Sequence, residues 1–287
     1  MNGLKTTLLL GVLSGLFLAI GYSYGGRDGM TIAFGFAIVM NVVSYWFSDK
    51  IVLSMYHAKE ITAQESPVFA GIVADLAIRA QIPTPKLYLV NLPVPNAFAT
   101  GRNPKHAAVA ISPSLLSLLS ENEVRAVIAH ELGHVLNRDV LVSCVAATVA
   151  SAVSSIASML RWGMMFAGGS RDRNGQNPLA MLAMVILTPI IALIIQLAIS
   201  RTREYGADDA SAKLTGSPMD LANALRKLEY ASQRMPIIGS PRQQTTASLF
   251  IVNPFKSNLM ARWFSTHPPI EERIERLEEM ARGVRRA

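Results

Sequence analysis

The sequence predicts a mainly α-helical membrane protein with a small β-sheet, and three observations carry that prediction. Apolar residues make up 51% of the chain and charged residues only 16%, against roughly 25% charged in an average soluble protein. The apolar residues are concentrated in runs close to the roughly 20 residues that a helix needs to cross a bilayer. Between these runs lie stretches with the patterns of amphipathic helices and short strands.

Four apolar runs divide the chain, at residues 6–22, 30–47, 140–160 and 179–199. A cleaved signal peptide is the alternative for the first run, but the run is long for that role and another follows closely. Buried soluble helices or a re-entrant hairpin are the alternatives for the last two, although their length and small residues favour two crossings. We therefore expect about four transmembrane helices.

The segment between the second and third runs is predicted to be a small α/β body. Residues 65–80 have helical apolar spacing and end before a proline-rich turn,. Three strand-like stretches follow, at residues 86–90, 97–100 and 107–112,. These stretches are too short for more than a small sheet.

The charge and cysteine content exclude two classes of site. The formal net charge is +7, but the basic residues flank the apolar runs or alternate with glutamates in the C-terminal tail, which is typical of membrane proteins and not of nucleic-acid binding. Cys144 is the single cysteine, so a zinc site built from several cysteines is excluded. A metal in this chain has to use histidine and carboxylate ligands.

One helix carries a metal-binding motif. Ser120 and Glu123 form a predicted capping box that opens an apolar helix,. On it, His130 and His134 lie four residues apart, so both imidazoles project from the same face and can bind one zinc ion. Glu131 projects beside the pair, where its carboxylate can reach a water molecule on the metal without binding the metal itself. Only about 0.004 such motifs are expected by chance, so two buried structural histidines are the weaker alternative.

A catalytic zinc ion needs three protein ligands and an open position. The strongest third candidate is Glu204, which directly follows the fourth apolar run, with Asp208 one turn later on the same face. Asp208 is placed to accept a hydrogen bond from the second ring nitrogen of a ligand histidine. A surface helix with alternating charges is the alternative. Two crossings separate the histidines from Glu204, so both sets of ligands return to one membrane face.

With these residues assigned, the sequence resembles the HtpX family of heat-shock membrane metalloproteases, which is related to the CaaX prenyl proteases. The resemblance covers nearly the whole chain. It includes the paired N-terminal apolar runs, Pro-Asn-Ala-Phe-Ala-Thr-Gly at 95–101, the zinc helix, Arg-Glu-Tyr-Gly-Ala-Asp at 203–208 and Ser-Thr-His-Pro-Pro at 265–269.

The resemblance implies one Zn²⁺ per chain, bound by His130, His134 and Glu204 in a gluzincin-like metalloprotease core, with Glu131 as the catalytic carboxylate. It suggests that Arg273 supports the site and that His267 stabilises the tetrahedral intermediate, the alternative being a histidine that merely precedes a helix. It also suggests that an edge strand binds an extended substrate by β-augmentation. That strand contains Asn96, Ala97, Phe98 and Ala99.

The predicted organisation is a transmembrane hairpin (1–49), a catalytic part with the zinc helix (50–139), a second transmembrane hairpin (140–200) and a second catalytic part (201–287). The predicted activity is hydrolysis of peptide bonds in misfolded or damaged membrane proteins, with unfolded or membrane-proximal polypeptides and the lipid bilayer as partners. A non-catalytic, zinc-stabilised scaffold or chaperone is the rival, but it has no need of Glu131. A transporter is disfavoured, because the four apolar runs contain no ionisable residue of the kind that marks an ion path,.

The resemblance indicates a multi-pass protein of the bacterial inner membrane whose catalytic site faces the cytoplasm. Basic residues favour that orientation by a small margin. On the cytoplasmic side they are Lys5, Lys50, Arg138, Arg201 and Arg203, against Arg27, Arg161, Arg171 and Arg173 on the other.

Overall fold

The computed structural model describes residues 2–150, 153, 201–234, 249–251 and 268–284. The helices are α1 (Asn2–Trp46), α2 (Ser48–Met55), α3 (Pro67–Arg79), α4 (Pro113–Leu118), α5 (Glu121–Leu136), α6 (Val140–Ala150), α7 (Arg201–Thr215), α8 (Pro218–Arg234) and α9 (Ile270–Ala281). The strands are β1 (Lys59–Ile61), β2 (Lys86–Leu89), β3 (Ala97–Gly101) and β4 (Ala107–Ile111). The predicted mainly α-helical fold with a small sheet is confirmed.

The first two apolar runs form a helical hairpin within α1. Its legs, Leu4–Tyr22 and Gly25–Trp46, are long and apolar enough to cross a membrane. The chain reverses at Gly26, whose φ of 58° and ψ of −136° interrupt the helix. A β-carbon at Gly21 or Gly29 would collide with the backbone of the other residue, so the legs approach closely beside the turn, as small residues permit in membranes.

The four-stranded sheet has the order β1-β2-β4-β3. Strand β2 runs parallel to β4, whereas β1–β2 and β3–β4 are antiparallel. The three predicted strands are confirmed within one residue at each end. Strand β1 escaped prediction because its three residues are too few to show alternation. Strand β3 lies at one edge of the sheet and packs against α5.

The core of the body lies between the sheet and helix α5, which also packs against α3, α7 and α8. Nearly every residue of α5 from Val124 to Val135 is buried. Helices α8 and α9 pack against each other through Leu221, Leu225 and Leu277. Because α5 is surrounded by other elements, a functional group on it is fixed from several sides.

Helix α5 turns sharply into α6, at 87°. The two would provide a third candidate span only if they were one broken span. Helix α5 is enclosed by the body, whereas α6 packs beside α1. Leu9 and Leu13 of α1 pack there against Val142, Val145 and Val149. The third run beyond these residues and the whole fourth run lie outside the described residues. The prediction of four crossings and the four-part division of the chain remain predictions.

Candidate metal centre

Helix α5, which carries the two histidines, has a capped first turn. The Ser120 backbone N–H donates to Glu123 Oε2 at 2.8 Å, and the Ser120 side chain accepts from the Glu123 N–H, so the predicted capping box is present. Ten residues further on, the rings of His130 and His134 have centroids 4.9 Å apart and lie nearly perpendicular. Both rings project toward α7, as the spacing of four residues requires.

Helix α7 brings a carboxylate to these rings. Glu204 lies in its first turn and is buried, as are Asp208 and Ser211 one and two turns later. Ser211 Oγ donates to the Ala126 carbonyl of α5 at 2.7 Å. The close approach of the helices depends on Gly133, where a β-carbon would lie 3.0 Å from the Ala207 Cα. The two helices therefore pack in close contact at this glycine.

The resulting cluster can hold a metal ion. Ligand atoms of His130, His134 and Glu204 all lie within 4.8 Å of one another. Glu204 Oε2 is 3.8 Å from His130 Nε2, and Glu204 Oε1 is 3.5 Å from His134 Nε2. Ligands of a tetrahedral zinc ion lie about 3.3 Å apart, given metal–ligand bonds of about 2.0–2.1 Å. The observed separations are close to that geometry.

The buried charges of the centre also suit a divalent cation. Among the described residues, four carboxylates surround the histidines, against two guanidinium groups, so two negative charges remain when both imidazoles are neutral. The carboxylates belong to Glu131, Asp139, Glu204 and Asp208, and the guanidinium groups to Arg203 and Arg273. Buried charges are stable only when paired or metal-bound, so a divalent cation matches the cluster.

Behind His130, an ion pair is buried completely. Asp208 Oδ1 is 3.0 Å from His130 Nδ1. Arg273 donates to the same carboxylate through Nε at 2.9 Å and Nη2 at 2.6 Å, and its Nη1 lies 3.5 Å from Glu204 Oε2. Burial acts to raise the pKa of Asp208, but Arg273 and His130 outweigh it and hold that pKa below its ordinary value.

His134 has its own carboxylate neighbour, Asp139, which the sequence reasoning did not select. Asp139 Oδ2 lies 3.6 Å from His134 Nδ1, and Asp139 is 4% exposed. Burial acts to lower the pKa of His134, but Asp139, Glu204 and Glu131 together raise it to about 8. The signal for Asp139 was weak, because an aspartate five residues beyond a histidine on a helix does not share its face.

Glu131 and the edge strand β3 are in direct contact. The Ala99 backbone N–H donates to Glu131 Oε2 at 3.0 Å. That N–H points away from β4, so by the alternation of an antiparallel pair the outward-facing peptide groups of β3 also include those of Ala97. Ala97, Phe98 and Ala99 are all buried. The structure thus sets Glu131 between the histidines and the edge of the sheet.

Asn96, just before β3, is bound to a distant part of the chain. Its Nδ2 donates to the Leu249 carbonyl at 3.3 Å, and its Oδ1 accepts from the Ile251 N–H at 3.1 Å. Its backbone N–H donates to Ser112 Oγ at 2.9 Å. His267, the remaining predicted site residue, lies outside the described residues.

These features define a class. Two histidines and a glutamate that can hold a metal beside a further carboxylate, in a chain with two apolar spans, are typical of membrane metalloproteases. Residues 63–281 match Peptidase family M48, and the chain belongs to that family. The predicted enzyme class is therefore confirmed, and relatives named as protease HtpX homologs confirm the resemblance to the HtpX proteases.

Known relatives cover nearly the full length of the chain. It is 51% identical over 290 residues to a protease HtpX homolog of Sulfurihydrogenibium sp., covering 99% of this chain and 97% of the relative. It is 50% identical to a protease HtpX homolog of Persephonella marina, covering 99% of each. The crystal structure of S. mikatae Ste24p matches with a TM-score of 0.50 at 19% identity, over 96% of this chain and 65% of that one. This last likeness concerns the fold alone.

Proposed function

We propose that the chain is a zinc-dependent endopeptidase in which His130, His134 and Glu204 bind the metal and Glu131 is the catalytic carboxylate. The observation that carries the proposal is the gathering of the three ligand side chains within 4.8 Å, with Glu131 held beside them by the Ala99 N–H. A structural zinc site closes its coordination with four protein ligands, whereas three ligands leave a position for chemistry.

When bound, zinc supplies an acidified water and polarises the scissile carbonyl. Glu131 accepts a proton from the attacking water and delivers it to the leaving amine. Asp208 and Arg273 hold His130 and Glu204 in place through the contacts described above. By resemblance, His267 donates a hydrogen bond to the developing oxyanion.

The substrate is proposed to bind as an additional strand on the edge of β3. The outward peptide groups of Ala97 and Ala99 lie on the side of β3 that faces Glu131, so a strand paired there passes the catalytic carboxylate. The amide of Asn96 already binds Leu249 and Ile251. Its side chain reaches a substrate only after that segment moves away. The backbone of Ala97–Ala99 makes the primary contacts, and the Ala99 N–H pairs with a substrate only when it is released from Glu131.

The substrate class follows from where the site lies. Helix α6 begins four residues after α5 ends, so the metal centre lies close to the start of an apolar helix. Extended, unfolded segments close to the bilayer can reach the centre and add a strand, whereas a segment buried inside a folded domain cannot. We propose that the protein takes part in the quality control of membrane proteins in the bacterial inner membrane, with its catalytic site on the cytoplasmic face. Relatives named as protease HtpX homologs over nearly the full chain support the protease part of this proposal.

Replacement of Glu131 by Gln tests the mechanism, because the amide keeps the size of the side chain and removes its basicity. We expect Glu131→Gln to retain zinc and to lose at least about a hundredfold in the rate of cleavage of an unfolded membrane protein in nanodiscs. The matched control is Glu121→Gln, in the exposed first turn of the same helix. We expect this variant to keep full activity. Full activity of Glu131→Gln with zinc bound would favour the non-catalytic zinc scaffold and disprove the assigned role.

A further inference from the structure

We propose that Asp139 is a positioning residue for His134 and fixes the ring nitrogen with which this histidine faces the metal. The inference rests on the proposed function, since it concerns a ligand of the proposed zinc site. In this proposal Asp139 is the carboxylate partner of His134, as Asp208 is the carboxylate partner of His130.

The geometry places Asp139 on the far side of the His134 ring from Glu204. Asp139 Oδ2 is 3.6 Å from His134 Nδ1, while Glu204 Oε1 is 3.5 Å from His134 Nε2. The first is an ion-pair distance, slightly longer than a hydrogen bond. A carboxylate beside Nδ1 keeps the proton on that nitrogen, which leaves the lone pair of Nε2 for a metal.

The backbone conformation just after α5 brings Asp139 back to this position. Beyond α5 the Arg138 N–H donates to the Val135 carbonyl at 3.1 Å, and the Asp139 N–H donates to the His134 carbonyl at 2.9 Å. This pair of bonds is a Schellman motif, which requires a left-handed residue and usually uses glycine. Here that residue is Arg138, with φ of 57°, at a cost of about 1 kcal/mol. The motif folds Asp139 back beside His134.

The second oxygen of Asp139 connects the two halves of the centre. Asp139 Oδ1 lies 4.0 Å from Arg203 Nη1, and Arg203 directly precedes Glu204. One carboxylate thus contacts the end of α5 and the start of α7, which carry two different ligands. On the other side Asp208 contacts His130 and Arg273 in the same way. Each histidine therefore has an aspartate at Nδ1, and each aspartate has an arginine.

The test is the zinc dissociation constant of the full-length protein in nanodiscs, measured by competition with a chromophoric chelator. All proteins carry Glu131→Gln, so that no proteolysis takes place during the measurement. Partners of metal-binding histidines typically change affinity by about 10- to 100-fold. We expect Asp139→Asn to raise the dissociation constant about tenfold and Asp139→Ala to raise it further, because the amide oxygen still accepts a hydrogen bond. The absorption spectrum of bound Co²⁺ should change in the same order.

The matched control is Glu123→Gln, a carboxylate that is buried to a similar degree at the opposite end of α5. It should lower the unfolding temperature and leave the zinc dissociation constant unchanged, which separates positioning from general stability. An Asp139→Asn protein whose dissociation constant stays within twofold of the parent would overturn the inference and leave the proposed function intact. If the parent itself binds no stoichiometric zinc, the proposed function fails and the inference fails with it.

Removal of the Asp139 carboxylate alone takes away the negative charge beside Arg203 and can unfold the chain. The double variant Asp139→Asn/Arg203→Gln removes both charges, so that zinc affinity can be measured without a buried unpaired charge. We expect the same loss of zinc affinity in the folded double variant as in Asp139→Asn. Affinity equal to that of the parent contradicts the role of Asp139.

Discussion

Asp208 and Arg273 form a two-point ion pair from which solvent is fully excluded, directly behind His130. The two residues are 65 positions apart, on helices α7 and α9. Because Asp208 also contacts the imidazole, the last described helix of the chain takes part in holding the first histidine of the motif. The pair thus joins the C-terminal part of the protein to the metal centre.

Removal of Arg273 alone should be strongly destabilising. In Arg273→Met the Asp208 carboxylate stays buried without its cation, which typically costs about 3–5 kcal/mol. Thermal unfolding of the metal-free protein measures the loss. Arg226→Met is the control, because Arg226 pairs with Glu278 on the same helix as Arg273 and both side chains of that pair are more than a third exposed. Such pairs contribute about 1 kcal/mol or less. Equal shifts for the two variants would contradict the proposed importance of burial.

Removal of the third ligand should abolish tight metal binding. Glu204→Gln replaces a charged ligand by a neutral amide and leaves the two histidines, so zinc content after dialysis should fall by more than about tenfold and proteolysis should be lost. Asp209→Asn is the control on α7, since Asp209 contacts Arg276 and not the histidines. A Glu204→Gln protein that retains one zinc per chain would show that the metal is bound elsewhere.

A methyl group at Gly133 should separate α5 from α7. The β-carbon of Gly133→Ala would lie 3.0 Å from Ala207 Cα and 2.9 Å from Ala210 Cβ, and such overpacking costs about 1–3 kcal/mol. Because Glu204 moves with α7, zinc affinity should fall as well. Gly71→Ala is the control, since nothing lies within 4 Å of its β-carbon inside α3 and alanine favours a helix by about 1 kcal/mol. The first variant should lower the unfolding temperature and the second should raise it.

The stability of the metal-free protein should depend on pH through the protonation of His134. Its pKa is raised from 6.5 to about 8, so the folded state binds the proton more tightly than the unfolded state. The resulting stability, about 2 kcal/mol, is fully present below pH 6.5 and is lost as pH rises through about 8. The unfolding temperature of the metal-free chain should therefore fall between pH 6.5 and 8.5. His134→Asn should remove that decrease.

Zinc binding should show the opposite trend, because a metal-bound imidazole cannot hold the proton at the same nitrogen. Zinc affinity should rise by up to about tenfold per pH unit below about pH 8 and level off above it. An affinity that is independent of pH between 6 and 8 would contradict the raised pKa of His134.

Asn96→Ala should release the segment at Leu249–Ile251. The variant loses the two hydrogen bonds that the carboxamide makes to this segment, each contributing about 1 kcal/mol. Hydrogen exchange at the Ile251 amide should accelerate by about 5- to 30-fold. Asn103→Ala is the control, because Asn103 caps the short helix Pro104–His106. Unchanged exchange in Asn96→Ala would show that packing of Phe250 holds the segment.

The sequence predicted those features that depend on local periodicity. The spacing of His130 and His134 determines that both rings share a face, and the capping box determines where the helix begins. The return of Glu204 to the histidines followed from counting crossings. Each inference uses residues within one or two turns, or the length of an apolar run.

The features that escaped prediction depend on contacts that no local pattern encodes. Asp139 reaches His134 only because Arg138 adopts a left-handed conformation that is unusual for arginine. The partners of Asn96 lie more than 150 residues further along the chain. The Ala99 N–H that binds Glu131 is a backbone group, so the side chain at that position gives no sign of it.

The packing of Leu9 and Leu13 on α6 has a consequence for how the N-terminal hairpin is joined to the metal centre. Helix α6 continues directly from the turn that sets Asp139 beside His134, and its apolar face is covered by the N-terminal hairpin. The hairpin therefore packs against the helix that follows this turn, so the two N-terminal spans contribute to the support of the metal centre.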